Sequence, residues 1–174
     1  MAKTYTSVPT VSTLATYPSA TYNTYTAQNI NNLIVPPMCR LEKSAGASIT
    51  SGSVFTWNVE SFDTDDMHST SSNTERITIN TAGVYLVTFT YTLNFSGTIT
   101  KEQPQILLSG SAYQYDMKYG SAAGNTANTV QTVIACNATD YLRVLIDFTG
   151  GSSFTVDGNT ASTSFSAVWV GRTS

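Results

Sequence analysis

The feature that most constrains the fold is an alternating stretch between Ile77 and Leu93, with the sequence ITINTAGVYLVTFTYTL. From Tyr85 onward every second side chain is large and apolar, and from Thr88 the positions between them are threonines. Successive side chains of a β-strand point to opposite faces, so this pattern predicts one buried face and one face toward solvent or a partner. We therefore predict a core strand of an antiparallel all-β domain. Its inward residues are Tyr85, Val87, Phe89, Tyr91 and Leu93.

The composition fits a globular protein that carries few charges. A chain of 174 residues is about the size of one domain with an additional arm. Charged residues make up 11% of it, against about 25% in ordinary soluble domains. Two interpretations remain open. Either the surface packs beside copies of the same protein, or the chain is simply rich in threonine because threonine favours strands.

Charge and hydropathy exclude several classes of partner. With 8 Lys and Arg residues and a net charge of −3, the chain offers no basic stripe for phosphates, so we expect no nucleic-acid partner. No apolar run approaches the roughly 18 residues that a membrane span needs, so we expect no membrane partner. The first residues contain no apolar segment typical of a signal peptide, which argues against secretion by that route.

The N-terminal part differs from the rest of the chain in its composition and residue pattern. Residues 1–18 are polar, contain two prolines and predict an extended arm. Residues 19–34 predict one short helix, which Pro36 and Pro37 would end. The helix either covers an end of its own β-domain or docks onto another protein. We assign residues 1–37 to a docking arm and helix. The docking residues are Tyr22, Tyr25, Ile30, Leu33 and Ile34.

Residues 38–174 show short strands separated by Gly, Ser, Asn and Asp clusters. We predict one hairpin around Ser109–Gly110 and a second around residues 137–140. A loop is predicted over residues 121–128, and a closing strand over 162–170. Eight or more short strands at this spacing predict a sandwich or jelly roll.

Few residues could bind a metal ion or take part in catalysis. Asp63, Asp65, Asp66 and His68 form the one cluster that could attract a hard cation, but the spacing of a calcium loop is absent, so we expect a solvated or inter-subunit loop and no metal. The only histidine is His68, and no Gly-x-Ser-x-Gly motif is present. We therefore expect neither an enzyme nor a cofactor.

Tyrosines and cysteines leave two further alternatives. Tyr113, Tyr115 and Tyr119 could stack on a sugar, although we favour a strand pair at a surface between subunits. Cys39 and Cys136 lie far apart in the sequence. Cys136 falls in an apolar alternating run, where we favour a buried free thiol. A disulfide between the two cysteines stays possible and would need an oxidising compartment.

Three segments together resemble the C1q/TNF-like family of jelly rolls: ITINTAGVYLVTFTY, VIACNATDYLRVLI and DGNTASTSFSAVWV. Ala167 stands where the family usually has glycine. The resemblance covers roughly residues 38–171 and implies a homotrimer, with the aromatic side of the long strand near the three-fold axis. It assigns a combined core and trimer role to Tyr85, Val87, Phe89, Tyr91, Phe165 and Trp169.

The N-terminal half resembles small phage virion proteins that place a C1q-like domain after a short helix. In their FDTDGMH loop, Asp66 here replaces the usual glycine. The resemblance implies a trimeric capsid decoration or head-fibre protein on the outer surface of the virion, assembled in the host cytoplasm. Its partners would be itself and the major capsid protein or another virion protein. The alternatives are a tail-fibre or adhesin domain that binds a host surface glycan, and a non-viral C1q-like binding module.

Overall fold

The structure, a computed structural model, describes residues 26–27, 29–30, 33–158 and 162–173. Its strands are β1 (Met38–Glu42), β2 (Ala47–Ser48), β3 (Val59–Asp63), β4 (Ile77–Thr78), β5 (Gly83–Leu108), β6 (Ser111–Tyr115), β7 (Lys118–Ser121), β8 (Gly124–Cys136), β9 (Tyr141–Val156) and β10 (Ser164–Gly171). Within the predicted helix, the described residues have helical backbone conformation, and Tyr22 and Tyr25 lie outside the described residues.

The 26-residue strand β5 is shared by two layers of the fold. Its first half pairs with β8 and β10, and its second half pairs with β9, β6 and β7. The register with β9 shifts three times between Asn94 and Lys101. Gly97 lies inside this irregular segment with a φ of 74°, a conformation that glycine adopts without steric cost. The bulges bend β5, so that one continuous strand passes from one sheet layer into the other.

The two layers form an antiparallel jelly roll. One layer has the order β3–β1–β10–β5–β8, and in the other β9 lies between β5 on one side and the short strands β2 and β4 on the other. The predicted all-β jelly-roll fold is therefore confirmed, and the strand that begins at Gly83 lies inside the first layer, between β10 and β8.

Two local predictions are wrong. The turn at residues 137–140 does not close a hairpin, because β8 pairs with β5 while β9 pairs with β2, β4 and β5. That turn joins the two layers instead. The predicted loop over residues 121–128 already contains the start of β8. Before β3, residues 53–58 form only a single bridge, from Val54 to Leu145, and Phe55 and Trp57 are buried.

Aromatic rings fill the space between the layers. Phe89 contacts Phe55 edge-on at 5.0 Å between ring centroids and stacks on Tyr91 at 5.1 Å. Trp57 stacks on Phe165 at 5.9 Å and meets Phe89 edge-on. Such pairs contribute about 0.5–1.5 kcal/mol each beyond the burial of their area. The cluster therefore ties β5, β10 and the irregular segment before β3 together.

Gly83 explains why the alternating stretch begins after a Thr-Ala-Gly sequence. A Cβ atom at this position would lie 2.0 Å from Nε1 of Trp169 and 2.6 Å from the carbonyl oxygen of Gly171. The indole therefore packs directly on the backbone of β5, and its Nε1 donates to the carbonyl of Ala82 at 3.4 Å. Only glycine leaves room for this contact.

We expect Phe89→Ala to lower the free energy of unfolding by about 3–5 kcal/mol, because it removes a fully buried ring from the centre of the aromatic cluster. The matched control is Thr92→Ala, which truncates a partly exposed side chain on the opposite face of the same strand and should change stability by less than about 0.5 kcal/mol. Urea unfolding followed by tryptophan fluorescence measures both. Equal effects of the two substitutions would contradict the assigned inward face.

Candidate functional site

The predicted core and trimer residues lie inside the single chain. Tyr85, Val87, Phe89, Tyr91 and Phe165 have no exposed surface, and Trp169 packs against the same core. The Tyr85 hydroxyl donates to the carbonyl of Thr81 at 2.5 Å, which satisfies its polar group inside the core. A side chain with no accessible surface cannot contact a second chain. A contact between copies on this layer would therefore use other side chains, such as those on the opposite face of the sheet.

The opposite face of the first layer consists of residues that the pairing of β5 with β8 and β10 places side by side. Residues paired directly across antiparallel strands share one side of the sheet. Leu86 is flanked by Val133 on β8 and Val168 on β10, and Thr88 is flanked by Gln131 and Ser166. We call this surface the Thr/Val face. Its residues are Leu86, Thr88, Thr90, Thr92, Thr129, Gln131, Val133, Ser166 and Val168.

The residues of the Thr/Val face carry no charge, and the face is bordered by Arg40, which lies opposite Ser166 and is paired with Glu42. Gln131 donates to the Thr88 hydroxyl at 3.0 Å, and the hydroxyls of Thr90 and Thr129 lie 3.0 Å apart. Polar groups on this face are therefore partly satisfied within the chain, which lowers the cost of removing water from them. Val133 is exposed. Depletion of charge around exposed apolar side chains is typical of the centre of a protein interface.

A second exposed surface lies on β6 and β7, which form the returning arm of the hairpin that turns at Ser109–Gly110; we call this arm the tyrosine hairpin (residues 111–121). Four large apolar side chains on it are between 40% and 71% exposed. Both strands pair with the second half of β5. Lys118 links the hairpin to the other layer, because its Nζ donates to the carbonyl of Ala127 at 3.1 Å. The exposed side chains are Tyr113, Tyr115, Met117 and Tyr119.

Behind the tyrosine hairpin lies a buried polar pair that the sequence did not reveal. Glu102 is fully buried, and its Oε1 accepts a hydrogen bond from the Tyr91 hydroxyl. Its Oε2 has no hydrogen-bond partner among the described residues. Burial, and then the hydrogen bond to Glu102, raise the pKa of Tyr91, so the hydroxyl remains a donor. Glu102 faces inward only because the register shifts in β5 reverse the expected alternation.

The described residues of the docking segment are exposed. Ile30, Leu33, Ile34 and Val35 are between 41% and 74% exposed, directly before β1. Single exposed apolar residues are ordinary on protein surfaces, but several together mark contact sites. Exposure of these four side chains is what the docking alternative for the helix predicts.

The acidic loop is organised by its own backbone. The carboxylate of Asp63 accepts from the N–H groups of Asp65 at 3.0 Å and His68 at 2.8 Å. Asp65 is buried and accepts from the hydroxyl of Thr81 at 2.8 Å. Nδ1 of His68 lies 3.2 Å from a carboxylate oxygen of Glu60. Among the described residues, no three His, Cys, Asp or Glu side chains are grouped so as to hold a metal ion.

Asp66 occupies the left-handed position of this loop, with a φ of 53°. Glycine is the residue that adopts such a conformation without cost. Aspartate is among the side chains that tolerate the left-handed region best. The turn therefore forms despite the substitution.

The cysteines are both free and both buried. Burial raises the pKa of Cys136 to about 12 and that of Cys39 still further. Their thiols therefore remain protonated at neutral pH and contribute to the core as small apolar groups.

Comparison with known proteins identifies the architecture. No family model matches the sequence, and no curated protein is significantly similar to it. Solved structures do match. An Eiger TNF from S. frugiperda superposes with a TM-score of 0.64 at 10% identity, covering 79% of this chain and 94% of that one. The globular domain of zebrafish complement 1qA gives 0.55 at 14% identity, covering 79% and 99%.

Murine APRIL gives a TM-score of 0.58 at 10% identity, covering 77% of this chain and 98% of that one. The chain has a C1q/TNF-like jelly-roll fold. The fold predicted from the three sequence segments is thus confirmed. In this C1q/TNF-like fold, the Thr/Val face and the tyrosine hairpin belong to different layers. Among the described residues, no helix is long and apolar enough to cross a membrane.

We expect Asp66→Gly to be more stable than Asp66→Ala by about 1 kcal/mol, because both remove the carboxylate but only glycine adopts a φ of 53° without strain. Urea unfolding of the two variants measures the difference directly. Equal stabilities would mean that the turn does not hold this residue in the left-handed region.

Proposed function

We propose that this chain is a structural protein of a bacteriophage virion, a homotrimer that decorates the outer surface of the head. The jelly roll would project from the capsid, and residues 1–37 would attach it. The main support is the group of exposed apolar side chains directly before β1. Burial of these side chains against a capsid protein would add about 25 cal/mol for each Å² of apolar surface removed from water.

Two unlike surfaces on one chain support the trimer. The Thr/Val face lies on the outside of one layer, whereas the tyrosine hairpin lies beside the second half of β5 in the other. A contact between unlike surfaces is head-to-tail, and it closes into a ring when the rotation between copies allows. We therefore place the tyrosine hairpin of one copy against the Thr/Val face of the next. Aromatic residues are enriched in such contacts.

A second candidate function is a receptor-binding adhesin for a host surface glycan. The observation that favours it is the exposure of Tyr113, Tyr115 and Tyr119 on one hairpin. Tyrosine offers an apolar ring face together with a hydroxyl, which suits contact with a sugar. The two candidates differ in what the hairpin contacts, because a hairpin buried between copies would not be accessible to a glycan.

We expect the protein to sediment as a species of three times the chain mass of 18.7 kDa at micromolar concentration. Thr129→Arg should convert it to monomer, because a guanidinium would be buried without a partner in the centre of the Thr/Val face. Thr155→Arg is the matched control, because it places the same charge on an exposed strand position of the other layer. Analytical ultracentrifugation distinguishes the species. A monomeric wild-type protein, or a trimeric Thr129→Arg variant, would contradict the proposed contact.

We expect the purified protein to bind saturably to phage heads that lack it, and Leu33→Ser combined with Ile34→Ser to weaken this binding at least tenfold. Each substitution removes an apolar side chain that is at least 70% exposed and therefore contributes little to the stability of the free chain. Co-sedimentation with heads measures the binding, and Thr155→Arg again serves as control. Binding of wild-type protein to host cells but not to heads would support the adhesin and exclude decoration.

A further inference from the structure

Two arginines face each other on the outside of the second layer. The antiparallel register pairs Ile77 with Leu142 and Thr78 with Tyr141. Continued by one residue, this register sets Arg76 opposite Arg143. Leu142 is buried, so Arg143 and Tyr141 point to the outer side of β9. Like charges directly opposite each other destabilise a pair of strands.

Both guanidinium groups converge on one aromatic ring. The Cζ atoms of Arg76 and Arg143 each lie 5.1 Å from the ring centroid of Tyr141. The ring attracts both cations but does not neutralise either. Two positive groups therefore lie against one ring on a chain whose net charge is −3.

Among the described residues, no carboxylate neutralises the positive charges of Arg76 and Arg143 through an ion pair. Asp140, the residue before Tyr141, uses its carboxylate oxygens to accept from the Ser109 hydroxyl and the Asn137 N–H. Nε of Arg143 is buried and has no hydrogen-bond partner among the described residues. A buried donor without a hydrogen-bond partner destabilises the folded protein, and a bound acceptor would remove this cost.

A polar pocket adjoins Arg76. It has a volume of about 190 Å³ and is lined by Arg76, by Met67 and His68, and by hydroxyl- and amide-bearing side chains, whereas Arg143 lies outside its lining. Nε of Arg76 donates to the Thr78 hydroxyl at 3.1 Å, which fixes the guanidinium at the pocket wall. Asp66 also lines the pocket, and its carboxylate disfavours a ligand that carries a second negative charge. The hydroxyl and amide groups belong to Ser69, Ser72, Asn73, Thr78 and Asn80.

We propose that this cluster is a binding site for a monosaccharide that carries one carboxylate. The carboxylate accepts hydrogen bonds from the guanidinium groups of Arg76 and Arg143, whose planar geometry matches it. The sugar hydroxyls occupy the polar pocket, where serine and asparagine side chains can donate and accept. This assignment goes beyond the proposed function, since it requires neither the trimer nor the capsid.

The test is a titration of the full-length protein with glucuronate, glucose and inorganic sulfate, followed by calorimetry and thermal unfolding at constant ionic strength. Glucuronate should bind and raise Tm, glucose should do neither, and sulfate should bind at least tenfold more weakly than glucuronate. Arg76→Gln and Arg143→Gln should each weaken glucuronate binding at least tenfold. Arg172→Gln, which removes the same charge from an exposed terminal position, should bind like wild type.

Thermal unfolding without ligand separates loss of the site from loss of the fold. Since each substitution relieves a like-charged pair, neither arginine variant should have a lower Tm than Arg172→Gln in the absence of ligand. Retained glucuronate binding in both arginine variants would overturn the site. Sulfate binding as tight as glucuronate binding would overturn the saccharide as its ligand. Neither result would bear on capsid attachment or on the trimer.

Discussion

The structure depends on one strand that takes part in both layers of the jelly roll. β5 runs unbroken from Gly83 to Leu108, and each half has its own partners. Such a strand must bend while its inward side chains continue to reach the core. The register shifts between Asn94 and Lys101 provide the bend. The position of this bend decides which side chains of β5 face the core and which face outward.

The sequence was informative where alternation is uninterrupted. From Tyr85 to Leu93 each inward residue could be named, because the side-chain period of a strand is two and no irregularity intervenes. The closing strand was equally clear, since Phe165 and Ala167 are buried on one side of it. The resemblance of three segments then identified the jelly roll, which alternation alone leaves open among several sandwich folds.

Sequence reasoning failed where pairing is decided by distant parts of the chain. Residues 137–140 have the composition of a hairpin turn, yet composition does not determine whether the flanking strands pair with each other or with β5. Glu102 became buried because bulges upstream reverse the alternation, and local polarity predicts the opposite. The pairing of Arg76 with Arg143 was invisible for the same reason: 66 intervening residues separate two positions that only the register brings together.

The two layers differ in the outward surfaces that they offer. In the first layer the Thr/Val face is uncharged, so it loses little hydration free energy when another surface covers it. In the second layer the outward side of β9 carries Arg143 beside Arg76, and guanidinium groups without an acidic partner are costly to bury. A contact between copies is therefore favoured on the first layer and disfavoured at the arginine pair. Assembly through the Thr/Val face leaves that pair in contact with solvent, where a carboxylate can reach it.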